Sequence, residues 1–148
     1  MRGSAGFTLV ELVAVLIIIG ALAVFAAPRL NTTGFAQYGL HQELLAAIRH
    51  AQKTANASGC EVDVNVDAAA DSYTIRYNGV GWDGCNAIAL AKPGGSGDLT
   101  GEAPQGVDIT GGAAFTLNAF GIPGAEARVT LASGRQVIVE ANTGYVHD

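Results

Sequence analysis

One carboxylate, Glu11, stands inside an otherwise apolar run from Phe7 to Ala27. A helix over that run would be about 31 Å long, roughly the hydrocarbon thickness of a bilayer. An ionised side chain in such a segment costs several kcal/mol unless it finds a partner. Glu11 therefore calls for a cation that the run itself does not contain, and the chemistry it implies is charge pairing. A second constellation is Cys60 with Cys85, the only cysteines in the chain. In an oxidising compartment such a pair most simply forms a disulfide, worth on the order of 3 kcal/mol for a loop of this size. A redox or metal site is the poorer reading, because the spacing is long and no histidine stands at ligand spacing from either cysteine. His41, His50 and His147 are scattered, and Asp63, Asp67 and Asp71 show no calcium-loop pattern. No nucleophile, base and orienting acid stand together, so the chain reads as non-enzymatic, with no cofactor and no metal.

What precedes the apolar run sharpens the reading of Glu11. The leader Met1 to Gly6 carries one positive charge, at Arg2. A secretory signal would be cut after its apolar stretch, and a small-x-small site does exist at Ala21-Leu22-Ala23. That alternative gives a secreted protein beginning at Val24 or later, but Glu11 would then sit inside the targeting core. Gly6-Phe7-Thr8-Leu9-Val10-Glu11-Leu12 instead resembles the processing site of type IV prepilins. The resemblance implies that a prepilin peptidase cuts between Gly6 and Phe7 and that Phe7 is methylated. It also implies that Glu11 meets the freed amine of a neighbouring subunit, two costly charges becoming tolerable as a pair.

At 148 residues and 49% hydrophobic composition the chain has room for one membrane helix and one modest domain. Loss of the leader leaves seven basic against thirteen acidic residues, a net charge near −6. Such a surface repels phosphate backbones overall. The twenty glycines cluster from position 79 onward, which suggests a loop-rich β domain.

The elements follow from periodicity. Pro28 should end or kink the first helix, and Asn31 to Gly39 has weak helical character. Leu40, Leu44, Leu45, Ile48, Ala51 and Ala55 then recur at helical spacing, with Arg49, His50 and Lys53 as a solvated basic patch on other faces. Ser58-Gly59 is a good stop. Strands are expected at Glu61 to Val66 and Tyr73 to Tyr77, joined as a hairpin, then at Ala87 to Ala91, Val107 to Thr110, Ala114 to Leu117, Ala127 to Leu131 and Gln136 to Glu140. Lys92 to Asp98 reads as an exposed loop, and Ser133-Gly134 as a tight hairpin turn. Trp82 is expected to cap the core edge beside Cys85, with an exposed binding aromatic as the alternative. The fold class is α+β: a long N-terminal helix, half membrane-embedded and half amphipathic, packed on a small antiparallel β domain. The expected divisions are a leader at 1–6, a helix at 7–59 that spans the membrane over 7–27, and a periplasmic β domain at 60–148.

Past the N-terminus, Ile48 to Gln52, the β-rich region and Gly134-Arg135 before the last strand resemble the minor pilins and H-type pseudopilins. Within that group the likeness is greatest to the minor pilin of the mannose-sensitive haemagglutinin pilus. Major pilins of this kind usually close a C-terminal loop with their disulfide, and the early position of Cys60 and Cys85 points to a minor subunit. The resemblance implies an inner-membrane protein with its C-terminal domain in the periplasm, later joining a type IV pilus or a type II secretion pseudopilus beside other pilin subunits. Some minor pilins bind DNA through C-terminal basic residues. Arg128 and Arg135 occupy the matching place here, flanked by Glu126 and Glu140, so DNA binding is a second reading with only two arginines behind it.

Overall fold

The computed structural model describes residues 7–26, 32–82, 84–94, 97–112 and 114–148. The leader, Pro28 with its expected kink, and Asn31 lie outside the described residues. Contacts divide the chain into two compact units, Met1–Thr32 and Thr33–Asp148.

In the first unit, helix α1 covers Leu9–Ala26. Its large side chains are exposed all round, from Leu9 at 80% to Leu22 at 63%. Polar-free on every face but for Glu11, it has no amphipathic side to fold against a soluble core. Among the described residues no helix is long and apolar enough to cross a membrane. As described, α1 has 18 residues, about 27 Å at 1.5 Å per residue against a hydrocarbon layer of roughly 30 Å.

Helix α2, Thr32–Ser58, supplies the start of the second unit from its second residue onward. Residues 32–39 are helical, contrary to the weak order expected from two threonines and two glycines. Ala36 packs against the core and anchors that first stretch, a tertiary contact that propensity does not register. Leu40, Leu44, Ile48, Ala51 and Ala55 form the fully buried stripe. Gly59, at φ +69°, ends the helix in the left-handed conformation that glycine adopts without penalty.

Among the described residues eight strands follow, in two four-stranded antiparallel sheets. The first sheet has the order β3-β2-β1-β5, built from β1 (Val62–Asp67), β2 (Ser72–Tyr77), β3 (Thr100–Glu102) and β5 (Phe115–Leu117). The second has the order β4-β6-β7-β8, built from β4 (Ile109–Gly111), β6 (Ala127–Leu131), β7 (Gln136–Val139) and β8 (Val146–His147). Alternating valines turn Val62, Val64 and Val66 inward from β1 and Val137 and Val139 inward from β7, into one core shared with the α2 stripe. Each such side chain contributes about 1.5–3 kcal/mol of burial.

Ala87 to Ala91 does not form the expected strand. It contributes only isolated bridges, Arg76 to Ala89 and Ala91 to Asp98. The outer edge of β2 is divided among several short partners: Leu90 N–H donates to Ile75, Ile75 N–H donates to Leu99, and β3 takes the far end. No one ladder has room to lengthen. Strands β3 and β8 were not anticipated; both are too short, at three and two residues, to show a period.

Asp67 and Asp71 shape the β1–β2 turn. Asp67 Oδ1 accepts from the amides of Ala69 and Ala70, an Asx turn. Asp71, at φ +49°, accepts the Ile109 amide on Oδ1 at 2.8 Å and so ties the first sheet to the second.

Candidate functional site

The N-terminal motif is positioned by a helix cap. Thr8 precedes α1, and its Oγ1 accepts the Glu11 amide at 3.3 Å while its carbonyl accepts the Leu12 amide at 3.2 Å. This satisfies donors that the first turn would otherwise leave unpaired. Thr8-Leu9-Val10-Glu11 has the threonine and glutamate spacing of a capping box, a local signal that the charge argument alone overlooks. Glu11 thus sits in the first turn, where the helix dipole favours a negative charge. Among the described residues it has no ion-pair partner. Phe7 is 79% exposed, and Gly6 lies outside the described residues.

Cys60 and Cys85 are joined as a disulfide. The bridge closes the end of the β1–β2 hairpin onto the loop that returns beside it, just past the C-terminus of α2. Trp82 lies in that loop, but it does not cap the core edge as expected: it is 64% exposed. Its indole N–H donates at 2.6 Å to the carbonyl of Ser58, one of the helix-end acceptors that has no intrahelical donor. Hydrogen bonding at the helix terminus, not burial, holds the ring.

The basic patch on α2 faces solvent, with Arg49 and Lys53 exposed and His50 half-buried, and two of its members also reach backbone carbonyls. Arg49 donates from Nη2 to the carbonyl of Val146 at 3.0 Å, and His50 contacts the carbonyl of Ala91 at 3.3 Å. The helix turn thereby splits the three residues, leaving Arg49 and Lys53 on one face toward an open cleft and His50 on the next. His41, one of the scattered histidines, is the one buried polar side chain among the described residues. Its Nε2–H donates to the Gln136 carbonyl at 3.0 Å, and Nδ1 accepts from Gln42, a pairing that makes burial tolerable.

Two further contacts escape sequence reasoning because their partners are far apart in the chain. Tyr73 donates to Glu43 Oε1 at 2.7 Å. Burial first, and then that hydrogen bond and the Glu43 charge, push its phenol well above the ordinary range. Gln52 donates through Nε2 to the carbonyls of Gly121, at 2.9 Å, and of Gly144. One amide therefore pins two loops, 118–122 and 141–145, to α2.

Arg128 and Arg135 each have a partner within the fold. Arg128 pairs with Glu126 at 2.7 Å and donates to Gln136 at 3.0 Å. Arg135 lies in the β6–β7 turn, its guanidinium 5.4 Å from the centre of the Tyr38 ring. Asp63 is likewise occupied, accepting from Thr116 at 2.6 Å and from Asn78. Among the described residues no group of three His, Cys, Asp or Glu side chains could hold a metal ion.

Comparison with known proteins agrees with these features at both ends of the chain. Residues 1–27 match the model of the prokaryotic N-terminal methylation motif. No curated protein matches the chain in sequence. Solved structures that resemble it include two of related kind. The minor pseudopilin EpsH from the type 2 secretion system of Vibrio cholerae superposes with a TM-score of 0.57 at 11% identity, over 76% of this chain and 94% of that one. The type IV minor pilin FimU of Pseudomonas aeruginosa gives 0.53 at 15% identity, over 78% and 90%. A helix followed by antiparallel sheets is therefore the fold this chain shares with a minor pseudopilin and a minor pilin, and a methylation motif stands at its head.

Proposed function

We propose that the chain is a minor pilin or pseudopilin: a non-enzymatic subunit, cleaved after Gly6, methylated on Phe7, and built into a type IV pilus or a type II secretion pseudopilus to initiate or cap assembly. One observation carries this reading. The match to the methylation motif falls on an apolar helix whose sole charge, Glu11, has no ion-pair partner among the described residues. A free amine on Phe7 of an adjacent subunit would supply the missing cation, and register would follow because the helix must slide until the charges meet. The pilin-like fold supports the same reading.

Before assembly the run 7–27 holds the protein in the inner membrane, with the remainder in the periplasm. Support comes from the unbroken exposure of apolar side chains along α1, which in water would be a large unsatisfied patch. The disulfide is consistent with an oxidising compartment. Prepilin peptidase and other pilin subunits are the expected partners. At the finer level, the two-cysteine hairpin and the Arg49 to Gln52 segment are the features behind a proposed minor pilin of the mannose-sensitive haemagglutinin type. The test is mass spectrometry of the purified full-length product. N-methylated Phe7 at the amino terminus is the expected result; a chain beginning at Met1, or at Val24 or later, overturns the proposal.

A further inference from the structure

An open cleft of about 520 Å³ lies between α2 and the loops 118–122 and 141–145. Its floor is the Gln52 clamp on Gly121 and Gly144. From α2 it receives Arg49 and Lys53, four residues apart and so on one helix face. The loops contribute Phe120 and Tyr145, 75% and 64% exposed. No carboxylate lines it, and among the described residues neither cation has an ion-pair partner.

Contacts within the fold position these parts. Asn118 Oδ1 accepts the amides of Phe120 and Ile122 and fixes the first loop. The Tyr145 ring stacks on His147 at 5.3 Å. Arg49 spends one N–H on Val146, which aims the guanidinium while leaving other donors of its fork free. Two exposed aromatics on hydrogen-bonded loops beside an oriented arginine are the composition of a protein–protein hot spot, where pre-ordered loops leave less entropy to be lost on binding.

We infer that this cleft receives an acidic segment of a neighbouring pilin-type subunit, an inference that rests on the proposed function. Charge selects the occupant. The chain as a whole carries a net charge of −5, so a basic cleft within it is complementary to the acidic surface of another copy or a relative. A cleft without carboxylates is not complementary to itself. The contact is therefore heterologous, the type that propagates along an assembly rather than closing as a dimer. A nucleic acid strand suits it less well, since neutralising two phosphates gives a salt slope of only about −1.4, and phosphates beyond the cleft meet an acidic surface.

The test uses the full chain in cells that assemble it, with a photoreactive benzoylphenylalanine replacing Phe120. A cross-link to an acid-rich segment of a second methylated subunit is expected. Lys53→Glu should lower the yield about tenfold or more, while Lys53→Arg preserves it. Lys92→Glu, the same change in net charge at an exposed position outside the cleft, should alter it by less than about twofold. Unchanged yield in Lys53→Glu overturns the inference. So do cross-links to nucleic acid, to polysaccharide or to a segment without acids, and so does the absence of any cross-link. The mass of the N-terminal peptide in the same sample separates the two readings. Methylated Phe7 without the cross-link refutes the cleft alone, and an unprocessed chain refutes the pilin assignment.

Discussion

Gln52 and Gly144 should be energetically coupled, and a double-mutant cycle measures it. Gln52→Ala removes an amide that donates to the carbonyls of Gly121 and Gly144. A net 0.5–1.5 kcal/mol for each bond, reduced because the open cleft lets water reach the freed carbonyls, predicts a loss of about 1–2 kcal/mol. Gly144→Ala acts differently. The residue sits at φ +66°, and its added Cβ would lie 2.5 Å from the Gly121 carbonyl oxygen and 2.8 Å from Gln52 Nε2. The left-handed conformation costs roughly 1–2 kcal/mol. The clash displaces the loop and breaks both clamp bonds as well, for a total of about 2–4 kcal/mol. Because Gly144→Ala has already lost the clamp, adding Gln52→Ala should cost about 1 kcal/mol less than it does alone. Urea unfolding of the full chain in detergent micelles, with the disulfide oxidised, reads all four states through the fluorescence of Trp82, the only tryptophan. Additivity within about 0.5 kcal/mol would show that the two loops are not held through one amide, and would refute the reasoning.

Other expectations follow from the remaining contacts. Glu11→Ala should leave membrane insertion intact but sharply reduce incorporation into the filament, scored by fractionating cells and counting the variant in sheared filaments; normal incorporation counts against charge pairing. Replacing Cys60 and Cys85 together by serine should destabilise the second unit by about 3 kcal/mol, read as a lower urea midpoint, and an unchanged midpoint would mean the bridge constrains little. His147 is raised above its ordinary value by the Glu140 hydrogen bond first and the Asp148 carbonyl second. Its contribution is therefore complete below the ordinary histidine range and is lost as pH rises through the raised folded value. NMR titration should show the His147 midpoint fall in Glu140→Gln; an unmoved midpoint would remove Glu140 as the cause.

The fold was legible where local rules are strong. Val62, Val64 and Val66 alternate cleanly and form a strand, and β6 runs over Ala127–Leu131 as the pattern predicts. Ala87 to Ala91 is as apolar as any strand but lies against a β2 edge already divided among other segments. Sequence carries the preference of a segment and not the availability of a partner. Trp82 was misplaced, and the partner of Arg49 missed, for a related reason: each is held by a backbone carbonyl, of Ser58 and of Val146, and carbonyls are the same in every residue.

The amino-terminal motif needs only its neighbours in the chain. Charge in an apolar run and small-residue context act within a few residues, so the motif that the methylation-family model matches over residues 1–27 could be read directly. The cleft could not. Arg49 and Val146 stand 97 positions apart, and Gln52 and Gly144 stand 92 apart, and only folding of the sheets against α2 brings them within hydrogen-bonding distance. Hydrogen bonds act over about 3 Å, so what the sequence separates by scores of residues can become a site only after tertiary packing has chosen which loops meet.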